Sequence, residues 1–251
     1  MTDLRSRRTA LTSLGLSGVL TLAGAATALA QEETQDEIGM PTASWDFESD
    51  AQGWEPIIVD LPDGYDPAVG DLQTAWAPLP EGLEGNGLYT QGANQSDDLF
   101  MGWKVYLDGL EPKTDYRVDG VLTMASNMPR EIALAEDSPA EVYVKLGAYT
   151  EEPVEVVDEE GWLRLNADKG LEETGGRDAV VLGTIANPNL EMGEDFRTFA
   201  LHDLSTEGLA RELSSTSDGE GGLWLFVGTD SGYAGFTTQF FDAIEVTLTP
   251  Q

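Results

Sequence analysis

The chain has no cysteine and a single histidine, His202. Without thiols there is no disulfide framework, no thiolate metal site and no acylated lipobox cysteine. One imidazole makes a zinc or copper centre a poor expectation. His202 lies in "FALHDL", in phase with Ala200 and Leu204, and no nucleophile motif accompanies it, so it reads as a structural residue rather than a catalytic base. Neither G-x-S-x-G nor H-E-x-x-H occurs. Basic residues are scarce: 13 Lys and Arg stand against 46 Asp and Glu, a formal net charge of −33. Phosphate contacts need Lys and Arg, so nucleic acid is a poor partner, and an anionic membrane surface is disfavoured for the same reason. Such a surface keeps a protein soluble and self-repelling, and cations relieve the repulsion. Two sources of the acidity stay open, adaptation to saline surroundings and specific binding of divalent cations.

Long apolar runs are missing after residue 30, which predicts no stable membrane insertion of the remaining chain. Residues 1–30 are separable. "MTDLRSRRTA" carries Arg5, Arg7 and Arg8; an uncharged apolar stretch follows and ends "ATALA". A basic start, an apolar middle and a small-x-small end predict a secretory signal cleaved after Ala30. The Arg7-Arg8 pair resembles a weak form of the twin-arginine export signal. The stretch is about long enough to span a bilayer, but its Gly, Ser and Thr content and its A-x-A ending favour cleavage. Cleavage would remove three arginines and Asp3, leaving 10 Lys and Arg against 45 Asp and Glu. Residues 31–42, "QEETQDEIGMPT", read as an acidic disordered lead-in. Residues 43–251 then form one domain, long enough to bury a full core. The expected location is extracytoplasmic, periplasmic or secreted, in a saline environment.

From Trp45 onward the pattern is strand, turn, strand. "LFMGWKVYL" places Leu99, Met101, Trp103, Val105 and Leu107 on one face, and "DYRVDGVLTMAS" does the same with Tyr116, Val118, Leu122 and Met124. "EVYVKLGAY" alternates as well, while "DAVVLGTIA" is apolar on both faces and reads as a buried central strand. Gly, Asp, Asn and Pro punctuate these runs. Only "STEGLAREL", residues 205–213, looks helical. The fold class is therefore all-β: an antiparallel β-sandwich, a jelly roll of about ten strands, with one short helix.

Three local patterns carry a family resemblance: "SWDFESDAQGW" near the start, "LDGLEPKTDYRV" in the middle and "LFVGTDSGYAGFTTQFFDAIEV" at the end. Together they resemble the galactose-binding-like jelly rolls of carbohydrate-binding modules. Those open with a D-F-E strand followed by G-W, carry a G-L-x-P-x-T-x-Y-x-V turn and strand, and close with Y-x-D-x-I-x-V. The resemblance implies a structural calcium joining the first and last strands. Its carry-over points to Glu48, Asp46 and Asp242 as ligands. Residues 151–176 match no module and read as an extra loop and hairpin.

The closing strand raises its own question. Strict alternation places Asp242 on the face of Phe240, Ile244 and Val246, and a buried carboxylate must be paired, protonated or metal-bound. Calcium, which takes six to eight oxygens, is one answer. An ion pair with Arg117 or Arg164 is the other. For a glycan, the sequence offers aromatic residues by turns: Trp76 in "TAWAPLP", Trp162 in "EEGWLRL", and Tyr233 beside Asp230 in "GTDSGYAG". A pyranose has apolar C–H faces and equatorial hydroxyls, so aromatic rings beside short polar groups suit it. "QGANQSDDLF", residues 91–100, adds amides and acids between two strands. The preferred expectation is a secreted, non-catalytic carbohydrate- or glycoconjugate-binding protein with a structural calcium. An extracytoplasmic structural or adhesion sandwich with a protein partner is the alternative, and a jelly-roll polysaccharide-degrading enzyme a lesser one. Carboxylates are too many for their number to favour a glycosidase.

Overall fold

A computed structural model describes residues 40–96, 98–130, 141–191, 193 and 197–251. The expected signal and most of the lead-in lie outside the described residues. The chain is tied down from Pro41, whose carbonyl accepts the Leu248 N–H at 2.9 Å. Thr42, the last residue of the expected lead-in, already opens β1 (Thr42–Trp45).

Among the described residues the architecture is an antiparallel sandwich, as the alternation predicts, with more and shorter strands than the ten expected. One sheet runs β14 (Ala200–Ser205), β7 (Asp115–Ser126), β17 (Phe236–Pro250), β5 (Asn86–Ala93) and β4 (Gln73–Pro78), with β1 also on β17 and β15 (Leu213–Thr216) also on β7. The second runs β12 (Ala179–Thr184), β9 (Val142–Tyr149), β16 (Leu223–Ser231), β6 (Leu99–Leu107) and β2 (Glu55–Val59). The main core fills the space between them: Leu122, Met124, Phe241, Ile244 and Val246 from the first sheet meet Trp103, Val144, Leu146, Leu225 and Val227 from the second. The opening motif closes one end of this core. Trp45 stands edge-on to Trp54 at 5.3 Å, and Phe47, at φ 55°, is fully buried beside Trp54.

Two expectations are corrected. Residues 205–213 form no helix: Ser205 ends β14 opposite Val121, Leu213 begins β15 opposite Val118, and the segment between them loops out along that edge of β7. Gly208 takes φ 78°, which a helix interior does not allow, and the segment is too short to hold a helix without packing. The apolar "DAVVLGTIA" run is an edge strand, not a central one. Its two-sided apolarity arises because Val180 and Leu182 enter the main core while Ala179 enters a second one on the opposite face.

That second core explains the unmatched residues 151–176. A three-stranded sheet of β10 (Glu155–Val157), β11 (Trp162–Leu165) and β3 (Leu61–Pro62) supplies Leu165, and Ala167 follows it, against Ile57, Val59, Phe100 and Phe226 on the outer face of the second sheet. Phe100 and Phe226 meet edge-on, 6.4 Å apart at 81°, and glycines make room for them. A Cβ on Gly147 would be 2.0 Å from Phe226, and one on Gly228 would be 2.5 Å from Phe100.

Beside these rings lies a buried ionic cluster. Lys145 and Asp230 are both 0% exposed and 2.5 Å apart. Lys145 Nζ also donates to the carbonyls of Lys169 and Thr174, so its three protons are all used. Lys169 Nζ meets Asp230 at 2.9 Å and Asp60 at 2.9 Å. Arg164 reaches Asp60, Asp98 and Asp158 from the rim. Burial holds the Lys145 ammonium below its ordinary pKa despite Asp230. Burial works against Lys169 as well, but Asp230, Asp60 and Asp98 together outweigh it and raise its pKa. Asp98 is pushed up to about 6, first by burial and then by Asp60. The folded protein thus holds the Asp98 proton more tightly than the unfolded chain. The stability this adds is fully present below the ordinary aspartate range and is lost as pH rises through about 6.

Urea titrations check both claims. Lys145→Met leaves the fully buried Asp230 with Lys169 as its remaining cation and should cost about 3 kcal/mol at pH 7, the low end for breaking a buried pair. Asp98→Asn should gain on the wild type by about 2 kcal/mol between pH 4 and pH 7. A difference that stays constant across that range would remove Asp98 as the titrating group.

Candidate functional site

The outer face of the first sheet carries an aromatic groove. Strand register places Leu201, Ala125, Phe240, Tyr89 and Ala75 side by side across β14, β7, β17, β5 and β4. Large rings occupy the middle of this row; Phe240, 8% exposed, packs with Leu79 and Ala125 in a small outer cluster against which Tyr89, Phe199 and Leu201 rest. Tyr89 and Phe240 are 5.0 Å apart at 44°, and Phe199 meets Phe240 edge-on at 5.9 Å. With Phe236, Tyr233, Met128 and Pro80 they line a groove of about 660 Å³, into which Asn127, Arg197 and Thr238 bring polar atoms. Phe236 is half exposed.

A polar network borders the rings. The Tyr89 hydroxyl donates to the Gln91 side-chain oxygen, and Gln91 Nε2 donates to Asp71 at 3.0 Å. Gln73 donates to the other Asp71 oxygen at 2.7 Å. Burial, and then the Asp71 charge, raise the Tyr89 pKa, so the phenol stays protonated as a donor. A flat apolar floor bordered by hydroxyl and amide groups can stack on one face of a sugar ring while bonding its hydroxyls. Asp71 has both oxygens engaged by amides, which leaves it poorly placed as a general base.

The four residues expected to bind ligand do not converge. Tyr233 lines the groove. Asp230 does not belong to an exposed loop: it lies within β16, fully buried, its oxygens taken by Lys145, Lys169 and the Glu172 N–H. Trp76 is 40% exposed on β4, but its row neighbour Leu88 faces the main core, and its indole donates to the Phe47 carbonyl at 2.6 Å. Trp162 belongs to β11, half-buried, with the Arg164 guanidinium 5.2 Å from its ring centre. The amides of residues 91–100 are likewise spent internally, as where Asn94 donates to Ser231 O at 2.6 Å. Tyr89, Phe199, Phe236 and Phe240 escaped the sequence reading. Their signal is the alternation of Phe236, Thr238 and Phe240 and of Tyr89 and Gln91, which marks an outward face once β17 and β5 are seen to lie over the main core with only a small cluster around Leu79 on their outer side.

Asp242 does not face the inter-sheet core. β17 carries a bulge in which Phe241 pairs with Met124 and Ala243 with Thr123, leaving Asp242 as the extra residue. The inserted residue shifts the phase, so Phe241, not Phe240, joins Ile244 and Val246 in the core. The bulge falls where β17 changes partner, from Leu88 of β5 to Trp45 of β1. Partial burial, then Glu48, Asp203 and Asp46, all raise the Asp242 pKa. Neither expected arginine relieves it: Arg117 pairs with Asp119 and Glu212, and Arg164 lies in the buried cluster. Asp46 Oδ1 is engaged within its own turn by Gln52 Nε2 and the Glu48 N–H. Among the described residues, the one group of acids with oxygens within 4.8 Å of one another is Asp60, Asp98 and Asp230, and there the Lys169 ammonium supplies the cation.

No family model matches the chain, and no curated protein does. Solved structures are similar to it at low identity. The CBM22-1 xylan-binding domain from Paenibacillus barcinonensis Xyn10C is 12% identical, with 83% of this chain and 95% of that one covered and a TM-score of 0.37. The K3 cleaved adhesin domain of Lys-gingipain from Porphyromonas gingivalis w83 is also 12% identical, covering 82% and 98%, with a TM-score of 0.37. The Stig cyclase Fisc from Fischerella sp. TAU is 13% identical, covering 82% and 94%, with a TM-score of 0.33. A xylan binder, an adhesin and a cyclase stand together here, and no residue role passes from any of them to this chain.

Proposed function

We propose that this protein is an extracytoplasmic, non-catalytic glycan-binding sandwich that holds a neutral polysaccharide chain in the groove of Tyr89, Phe199, Phe236 and Phe240. The observation that carries this is the aromatic groove itself: Phe236, half exposed, with Tyr89 and Phe199, half-buried, standing around the buried Phe240 and bordered by hydroxyl and amide groups. The formal charge of −33 disfavours an anionic chain. Among the described residues no helix is long and apolar enough to cross a membrane. A location outside the cytoplasm rests on the residue 1–30 pattern, and the saline setting on the excess of acid. One observation favours a protein partner instead. β10 is an edge strand on which Val156 and Val157 are exposed. Acids surround it, at Glu151, Glu152, Glu155 and residues 158–160, which is how edges are kept from pairing.

A calcium ion near β17 is part of the same proposal. Glu48 and Asp242 are the acids it would bridge, with Asp203 close by, because the charges acting on the Asp242 carboxyl are all acidic. Hard oxygen donors of this kind suit calcium.

The groove is tested by affinity electrophoresis in soluble neutral polysaccharides, with release of reducing ends measured in parallel. Phe236→Ala and Tyr89→Ala should each weaken retardation by about fivefold to tenfold, with no reducing ends released by the wild type. Unchanged retardation in both variants would move the site elsewhere. For calcium, chelation should lower the melting temperature, and added calcium should restore it where sodium of equal ionic strength does not. Asp242→Asn should lose that calcium-specific gain. A melt indifferent to chelator would leave Asp242 as a half-buried acid with a raised pKa and nothing more.

A further inference from the structure

The second sheet bears its own aromatic row. Trp224 of β16 pairs in register with Tyr106 of β6 on one side and Tyr149 of β9 on the other. Their sequence neighbours Leu223, Leu225, Val105 and Ala148 fill the main core, so these three rings point to the opposite, outer face. The small sheet covers that face only in part. Tyr106 is 39% exposed, and Trp224 and Tyr149 are half-buried. The Trp224 indole N–H and the Tyr149 hydroxyl make no hydrogen bond to another described residue.

The strip is fixed rather than loose. Tyr106 and Trp224 are 5.3 Å apart at 53°. The Tyr106 hydroxyl donates to Asp218 Oδ2 at 2.8 Å, across Gly222, where a Cβ would lie 1.8 Å from that hydroxyl. Burial and then the Asp218 bond push the Tyr106 pKa up to about 12, so the bond persists at any physiological pH. Lys104, 8% exposed and ion-paired to Glu152, stands 5.3 Å from the Trp224 ring and walls one end. An exposed phenol held by a dedicated hydrogen bond and a dedicated glycine is preorganised for stacking.

We infer that Tyr106, Trp224 and Tyr149 form a second glycan-binding platform, on the opposite outer face of the sandwich from the groove, and that one molecule therefore bridges two neutral polysaccharide chains. This rests on the glycan-binding reading of the groove. Three rings on adjacent strands, about 5 Å apart, suit a linear chain lying across the strands. The acids around the strip, Asp218, Glu220 and Glu152, repel anionic chains, which selects neutral sugars. Two sites on one rigid body raise avidity on a polymer and cross-link it.

Soluble arabinoxylan and hydroxyethyl cellulose serve as probes, read by affinity electrophoresis for binding and by turbidity for cross-linking. The wild type should do both. The groove double variant Tyr89→Ala/Phe236→Ala should keep residual retardation and lose turbidity. Tyr106→Ala/Trp224→Ala should keep groove binding, with affinity for long chains reduced at least about fivefold, and also lose turbidity. If thermal melts show that the Trp224 change disrupts folding, Tyr106→Ala and Tyr149→Ala, tested singly, carry the experiment and should each reduce turbidity. Strip variants that bind and cross-link as the wild type does overturn the inference while leaving the groove reading intact, whatever they do to self-association in light scattering. Loss of binding in the strip variants alone would uphold the strip and overturn the groove. A wild type that retards on neither polymer overturns both.

Discussion

The ion pair of Lys145 with Asp230 is the constraint around which the second layer of this protein is arranged. Both groups are wholly removed from water, and isolated charges there would cost several kcal/mol each. The pair is tolerable because both of its members are fully engaged. Lys169 adds a second cation to Asp230, and the carbonyls of Lys169 and Thr174 complete the Lys145 ammonium. Those partners come from the segment between β11 and β12, so the charges fix where the cover over the second sheet can lie. Apolar burial by Phe100 and Phe226 supplies the driving force, and the directional ionic contacts supply the position. The sequence has four lysines, and three of them, Lys104, Lys145 and Lys169, are buried on this one face. In an acid-rich chain they serve as internal counterions, and the surface is left almost without ammonium groups.

A second constraint is the length of β17. Fifteen residues pair with β7 on one side and with β5 and then β1 on the other. Two different partners cannot follow one uninterrupted pleat, and the bulge at Asp242 absorbs the change. It also divides the strand by function. Before it, Phe236, Thr238 and Phe240 face outward and build the groove; after it, Ile244, Val246 and Leu248 face inward and build the core.

This division shows what the sequence could and could not disclose. The alternation of Trp103 with Lys104, or of Leu122 with Thr123, was enough to give the all-β class and the inner faces, because period two is local information. A bulge is not local: it depends on which strands lie beside β17. Strict alternation therefore put Phe240 and Asp242 in the core and hid the aromatic groove. Asp230 was misplaced for a similar reason. Its neighbours "GTDSGYAG" look like an exposed turn, and only the cover contributed by residues 151–178 makes the position interior. Tyr233 was found because a Gly-flanked aromatic beside a turn is a local signal. Phe199 and Tyr89 reach the groove only through β14 and β5, far apart in sequence.

The placement of the aromatic rows follows from the same scarcity of cations. On a surface with so many carboxylates, ionic recognition of a ligand would be repelled, or screened by the salt that makes the acidity tolerable. Stacking on uncharged rings is not screened, and excluded salts strengthen burial of apolar surface. Strand register supplies such rings cheaply, because one substitution per strand at a shared level gives a continuous row. β-Sheets covered on the inside and open on the outside can carry a row on each face without disturbing the core between them. Here the first sheet opens at Phe236 and Tyr89, beside the buried Phe240, while the second opens only beyond Lys104, where its cover ends. The cover that the buried lysines hold in place thus also sets the limit of the second row. A contact made on either row depends on backbone register, and on the second row also on Gly222 and Asp218, not on ionic attraction to the ligand.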